Sequence, residues 1–398
     1  MRFRFVPHDS PLATAVFAFK AGSLSDPPGQ EGISHYLEHV LLDASRRYPT
    51  EAAVSDAFAR AGARANGGTG FDSVCYYGTC RASRLTEMLA VHCDLVSSPL
   101  LREEDIERER KIVMSELRDG RDDAMTVFWA AALEGALGWA PIIGREDTVS
   151  AATAGQIREH YARHHGTSTL MVTVCGPASA EDEVRRGLSG LGLASPPPPR
   201  EPVADLRAVA IVRPEFKQAC LALLAPGAPG LASPFRENLV ASVASNCVGG
   251  NDFSLLFRRL RGELGLTYWV GTSAVRWGRC GLTCVSSQFD PSLMGRVRSE
   301  IDGVIRRVVD GGVPEDTVAF AKDAMLTSVA AGCETSAGLA RWFESYHMSG
   351  APGVPETYGE YEEVLGGVSP AEVGGYASRA FAPLLDPDSS KVVAMTPS

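Results

Sequence analysis

Four consecutive prolines, residues 196–199, stand at the midpoint of this 398-residue chain. Proline locks φ and lacks a backbone donor, so neither a helix nor a central strand continues through the segment. The run predicts a linker over 195–202 between an N-terminal domain, 1–194, and a C-terminal domain, 203–398. The two halves echo each other. Val149-Ser150-Ala151-Ala152-Thr153 precedes a helical stretch and then the apolar run 170–174, as Val368-Ser369-Pro370-Ala371-Glu372 precedes a helical stretch and then 391–395. Ser369 and Glu372 have capping-box spacing, with Pro370 at the first helical position. Strand-like runs at 12–20 and 208–213 alternate with amphipathic helices such as 292–309. The expected class is α+β: two homologous domains, each a mixed or antiparallel sheet with helices packed mainly on one face.

Composition narrows the function. With 45% hydrophobic and 22% charged residues the chain reads as an ordinary globular protein. A net charge of -10 without a dominant basic run argues against a nucleic-acid partner and permits attraction of basic peptides. No apolar run is long enough for a transmembrane helix, and the N-terminal residues lack the core and cleavage site of a signal peptide, so a cytoplasmic location without membrane association is expected. Nine scattered cysteines, an odd number, suit reduced thiols better than a disulfide framework.

The chemistry concentrates in His35-Tyr36-Leu37-Glu38-His39. On a helix, histidines four residues apart share a face and reach one metal ion, which points to zinc. Ser34 is the expected cap, and Ile33, Tyr36, Leu37, Val40 and Leu41 form an apolar stripe at helical spacing. His35, Glu38 and His39 fall in the opposite arc. Zinc needs a third protein ligand, and residues 107–117 offer carboxylates on another predicted helix. Glu109 and Glu116, seven residues apart, lie within about 20° of one face.

Taken together, these motifs resemble the pitrilysin and insulysin family of inverted-motif zinc peptidases (inverzincins), which includes the mitochondrial processing peptidases. That family has H-x-x-E-H, then 76 intervening residues, then a Glu ligand preceded by another Glu seven positions earlier. Counted from His39, the pattern lands on Glu116, with Glu109 as the supporting carboxylate. Gly22-Ser23-Leu24-Ser25-Asp26 is similar to the family's Gly-Ser-x-x-Glu. Residues 62–69 resemble its edge-strand block, where Asn-Ala-x-Thr is usual and Gly67 here replaces the Ala. Pro141-Ile142-Ile143-Gly144 with Thr148-Val149-Ser150 matches another block. In the second half Arg261 and Tyr268 have the spacing of a pair that, in the family, faces the zinc from another domain. The chain departs after His39, where Leu42 and Asp43 fall in a stretch that usually carries an aromatic residue followed by Lys-Gly-Thr.

The resemblance implies the LuxS/MPP-like metallohydrolase fold and a zinc metalloendopeptidase that cleaves peptides or processes a precursor or leader peptide. His35, His39 and Glu116 would hold Zn2+, and Glu38 would be the catalytic base. Tyr268 would donate to the oxyanion, Arg261 would hold a substrate carbonyl, and Asn66 would align the peptide as an added strand. Family sites need four such domains and this chain supplies two. A homodimer is therefore expected, with a heterodimer of related subunits or a non-catalytic structural subunit as the alternatives.

Overall fold

The computed structural model describes residues 1–120, 123–194, 208–213, 215–278 and 280–397. The chain forms two compact units. The first contains a five-stranded sheet of β1 (Arg2–Pro7), β2 (Leu12–Phe19), β3 (Arg64–Thr69), β4 (Val74–Arg81) and β5 (Leu170–Gly176), in the order β1-β5-β2-β4-β3. β1 runs parallel to β5, and every other neighbouring pair is antiparallel. The second contains β6 (Val209–Val212), β7 (Ala219–Pro226), β8 (Thr267–Trp277), β9 (Cys280–Phe289) and β10 (Lys391–Thr396), in the order β6-β10-β7-β9-β8. Again the first pair is parallel and the others are antiparallel. The repeat in the sequence is thus a repeat of sheet topology.

The central strands show why. In β2 every residue after Leu12 is buried, and β7 is buried up to Pro226, so both are covered on two faces and carry continuous apolar runs. β4, nearer the edge, alternates buried and half-buried residues. In the first unit the main core lies on one face of the sheet, where Phe17, Phe19, Val74 and Tyr76 meet Ile33, Leu37, Met88, Leu95, Val113 and Ile157 of the covering helices. The capping box at Ser369 and Glu372 forms as its spacing predicts, and Thr153 with Gln156 makes another at the matching position of the first repeat.

The units do not follow the chain division at 194 and 203. Residues 123–139 belong to the second unit and 332–348 to the first. The opposite face of the first sheet exposes Val16, Ala18, Met171 and Cys175, which would be apolar surface without a cover; the helix Ser336–Ser349 buries them under Ala340, Phe343 and Met348. Likewise the helix Ala124–Leu137 lays Phe128, Ala132 and Ala136 against Cys220, Ala222, Leu224 and Val393. Each covering helix is drawn from the other half of the chain, which a split at the proline run does not anticipate. The proposed linker, 195–202, lies outside the described residues.

Phe343 is 2% exposed, with the Arg4 guanidinium 4.5 Å from its ring centroid. Phe343→Ala should therefore cost about 3–5 kcal/mol in denaturant unfolding, the usual range for emptying a packed aromatic site. A loss below about 1 kcal/mol would show that this helix does not carry the packing of that face.

Candidate metal centre

The motif lies on the helix Ile33–Leu41, and all five residues of its apolar stripe are at most 2% exposed. Its start differs from expectation. The N-cap is Gly32 at φ 93°, and Ser34, inside the first turn, caps nothing. The Asp26 carboxylate does this work from the preceding loop, accepting from the backbone N–H groups of Gly32 (2.8 Å) and Ser34 (3.1 Å) and from the Ser34 hydroxyl (2.5 Å). A serine already within the helix cannot fold back onto the donors that a cap must satisfy, whereas a carboxylate approaching along the axis meets them and the positive end of the dipole. Burial pushes the Asp26 carboxyl up to about 7, against the lowering effect of these hydrogen bonds. His160 Nε2 lies 3.0 Å from the Ser34 hydroxyl and closes the network.

Gly32 has a second reason to be glycine. A Cβ there would stand 2.6 Å from Gly144 Cα and from the Ile143 carbonyl oxygen. Thr148 donates its hydroxyl proton to the Glu31 carbonyl at 2.7 Å. The separate blocks around 22–26 and 141–148 thus meet at the beginning of the motif helix and fix its entry.

The carboxylates come from the helix Glu103–Asp119, whose Ile106 and Val113 are buried in the same core. Tyr36, buried beneath the motif, donates its hydroxyl proton to the Ile106 carbonyl and sets the register of the two helices. Glu116 Oε2 then lies 3.6 Å from His35 Nε2 and 3.5 Å from His39 Nε2. Ligand atoms about 2.1 Å from a tetrahedral zinc stand roughly 3.4 Å apart, so these separations fit an ion between them better than direct hydrogen bonds. The three donor atoms lie within 4.8 Å of one another, and two imidazoles with one carboxylate are a zinc donor set.

Glu109, 6% exposed, places Oε2 3.4 Å from His39 Nδ1, the ring nitrogen turned away from Glu116. That contact orients the imidazole. Arg108 extends the arrangement outward, with its guanidinium 3.0 Å from Asp43 and 3.7 Å from Glu109. Asp43, where the sequence departs from the pattern it resembles, therefore sits behind the supporting carboxylate. Sequence reasoning identified Asp43 only as a changed neighbour, because its connection runs through Arg108 on another helix.

Glu38 is 7% exposed and accepts from the Thr69 hydroxyl at 3.3 Å. Burial raises its pKa, and the Thr69 hydrogen bond and nearby His39 oppose the shift. Asn66 is on edge strand β3, opposite Tyr77 of β4, while Gly67 is opposite Tyr76. Paired residues share a sheet face. The Asn66 side chain thus leaves the strand on the face of Tyr77, opposite to that of Gly67, Thr69 and Glu38.

Arg261 and Tyr268 belong to the second unit, apart from the cluster of His35, Glu38, His39, Glu109 and Glu116 in the first. Arg261 lies in a π-helical segment, Phe257–Glu263, with its guanidinium 5.1 Å from the Phe257 ring centroid. Tyr268 occupies a register shift between Thr267 and Trp269 on edge strand β8. The extra residue interrupts the alternation of the strand, and Tyr268 stands 71% exposed.

The insulinase (peptidase family M16) profile matches residues 7–131, which contain the whole cluster, and the peptidase M16 inactive-domain profile matches 151–325. The chain belongs to the M16 peptidase family. An uncharacterized zinc protease of Streptomyces coelicolor is 29% identical over 334 residues, covering 80% of this chain and 72% of that protein. One from Bacillus subtilis is 23% identical, with 90% and 88% covered. A protease from Helicobacter pylori shares the fold at TM-score 0.86 and 17% identity over 98% of this chain and 96% of that one. An M16-like peptidase structure from Alicyclobacillus acidocaldarius matches at TM-score 0.81 and 20% identity, covering 100% and 96%. The resemblance drawn from the motif is thus confirmed at the level of family and fold.

In this M16 cluster the two histidines carry different proton loads. Burial, with His39 nearby, lowers His35 to about 4, so it is neutral near pH 7. Burial also opposes charge on His39, but Glu109, Glu38 and Glu116 outweigh it and raise its pKa above the ordinary 6.5. A metal takes the neutral ring. Zinc uptake at or below pH 6.5 should therefore release about one proton, from His39, and affinity should fall about tenfold per pH unit below the His39 pKa. Calorimetry in buffers of different ionisation enthalpy measures this; release of two protons would refute the assignment.

Proposed function

We propose that the protein is a zinc metalloendopeptidase that cleaves peptides, including precursor or leader peptides, with His35, His39 and Glu116 as zinc ligands. The observation carrying this reading is the convergence of two imidazole nitrogens and one carboxylate oxygen within 4.8 Å of one another, the oxygen 3.5 and 3.6 Å from the two nitrogens, beside the buried Glu38. The zinc-protease names of its relatives support it.

Zinc, when bound, supplies Lewis-acid activation of water near neutral pH. Glu38 takes the proton of the attacking water and delivers it to the leaving amine. Its raised pKa suits a group that must accept and return a proton. Glu109 holds the His39 ring, and β3, an edge strand among the described residues, offers backbone groups to an extended peptide. Asn66 contributes to that alignment from the other face of the strand. Tyr268 donates to the oxyanion, a contribution of about 3 to 4 kcal/mol for such donors, and Arg261 holds a substrate carbonyl. The exposure of Tyr268 suits a residue that completes a site formed with a partner subunit.

A homodimer with two composite sites follows, because one chain carries both sets of residues. A cytoplasmic location is supported by the free thiols of all eight cysteines with described side chains. No helix among the described residues is long and apolar enough to cross a membrane. The alternative, a non-catalytic partner subunit, draws on the inactive-domain profile; that profile covers 151–325, outside the motif.

Glu38→Gln should retain one zinc per chain while peptide cleavage falls by at least about 10²- to 10⁴-fold. Metal analysis and mass-spectrometric mapping of a peptide library check it, and an active variant would refute the base assignment. Mixing Glu38→Gln subunits with Tyr268→Phe subunits should restore activity, since one site per heterodimer is intact. Verified mixed dimers without activity would rule out composite sites.

A further inference from the structure

Gly67 occupies the position at which the edge-strand block departs from the Ala usual in the family. The space beside it is filled. A Cβ on Gly67 would lie 2.1 Å from Glu38 Oε1, 2.8 Å from Cδ and 2.9 Å from Cγ. The other carboxylate oxygen, Oε2, accepts from Thr69, two residues along the same face of β3. The carboxylate therefore lies against the strand, with one oxygen in the space a Cβ would take and the other on the hydroxyl.

We infer that Gly67 and Thr69 form a carboxylate cradle on edge strand β3 and that Gly67 is a positioning residue for Glu38. The inference rests on the reading of Glu38 as the base. Three features support the cradle. The contact involves the length of the Glu38 side chain, so no small rotation about its last bond relieves an added methyl. Gly67 has no need of glycine for its backbone, since it is a regular strand residue paired with Tyr76 and is absent from the positive-φ positions. Its neighbour Gly68, facing the other way, has only Cys75 Sγ near its Cβ position, at 3.8 Å, so the tight place is confined to the Glu38 face.

The cradle also bears on substrate. β3 is the edge to which an extended peptide would add, and a base lying against the edge-strand backbone approaches that peptide from the strand side. With Ala at 67 the carboxylate must stand off the strand by about 1 Å. Glu38 is flexible enough to make that shift without unfolding the site, so the consequence falls on the reaction rather than on stability. A displacement of this size costs on the order of 10²-fold in rate.

The test compares the zinc-loaded wild-type protein with Gly67→Ala, Glu38→Asp and the double variant. Gly67→Ala should lower kcat by about 10- to 100-fold while KM, zinc stoichiometry and the melting temperature stay unchanged. Aspartate, one methylene shorter, withdraws from Gly67, so Gly67→Ala should cost nothing further in the Glu38→Asp background. A crystal structure of Gly67→Ala gives a readout independent of activity: the Glu38 carboxylate should have left Thr69. Wild-type kcat in Gly67→Ala, an equal loss in both backgrounds, or a carboxylate still seated on Thr69 would each overturn the inference. An active Glu38→Gln protein would instead overturn the base assignment itself, so the two failures are distinguishable.

Discussion

Tyr36 donates its hydroxyl proton to the Ile106 carbonyl inside a core from which water is excluded, and the geometry of the candidate metal centre depends on it. A buried tyrosine hydroxyl left without an acceptor costs free energy, so the pair favours one axial register between the motif helix and the helix carrying Glu109 and Glu116. Once that register is set, Glu116 reaches both Nε2 atoms and Glu109 reaches the far nitrogen of His39. The Asp26 cap and the close approach of Gly32 to Gly144 set the other end of the motif helix, so it is constrained at its start and along its length.

Around this frame the electrostatics are uneven by design of the fold. His35 is shielded and held neutral, whereas His39 is surrounded by three carboxylates that favour its charged form. A divalent cation bound there would relieve that crowding by replacing the proton and compensating Glu116. Glu38 is separated from this role by its place against β3, with Thr69 as its donor. One short helix thereby presents two imidazoles and one carboxylate in different environments.

Much of this was legible in particular residues. The periodicity of Ile33, Tyr36, Leu37, Val40 and Leu41 described the buried face, and Ser369 with Glu372 marked a helix start that forms as written. The echo between the halves corresponds to two sheets of identical strand order. Asp26 stood in a recognisable block but its capping role did not show, since the donors it meets lie across a loop and Ser34 offered a nearer but sterically useless alternative. The bulge that exposes Tyr268 leaves no trace in composition, because it is a property of how β8 pairs with β9.

By itself the sequence determined the local elements, the repeat and the residue types able to bind zinc, because these rest on periodicity, backbone propensity and side-chain chemistry. Only the tertiary structure decided which carboxylate oxygen meets which imidazole nitrogen, that Gly67 leaves room for Glu38, and which helix covers the outer face of each sheet. Those outcomes depend on excluding water from surfaces far apart in the chain. Hydrophobic burial is not directional and carries no record of chain order, so Phe343 serves the first sheet and Phe128 the second, each from across the proline run.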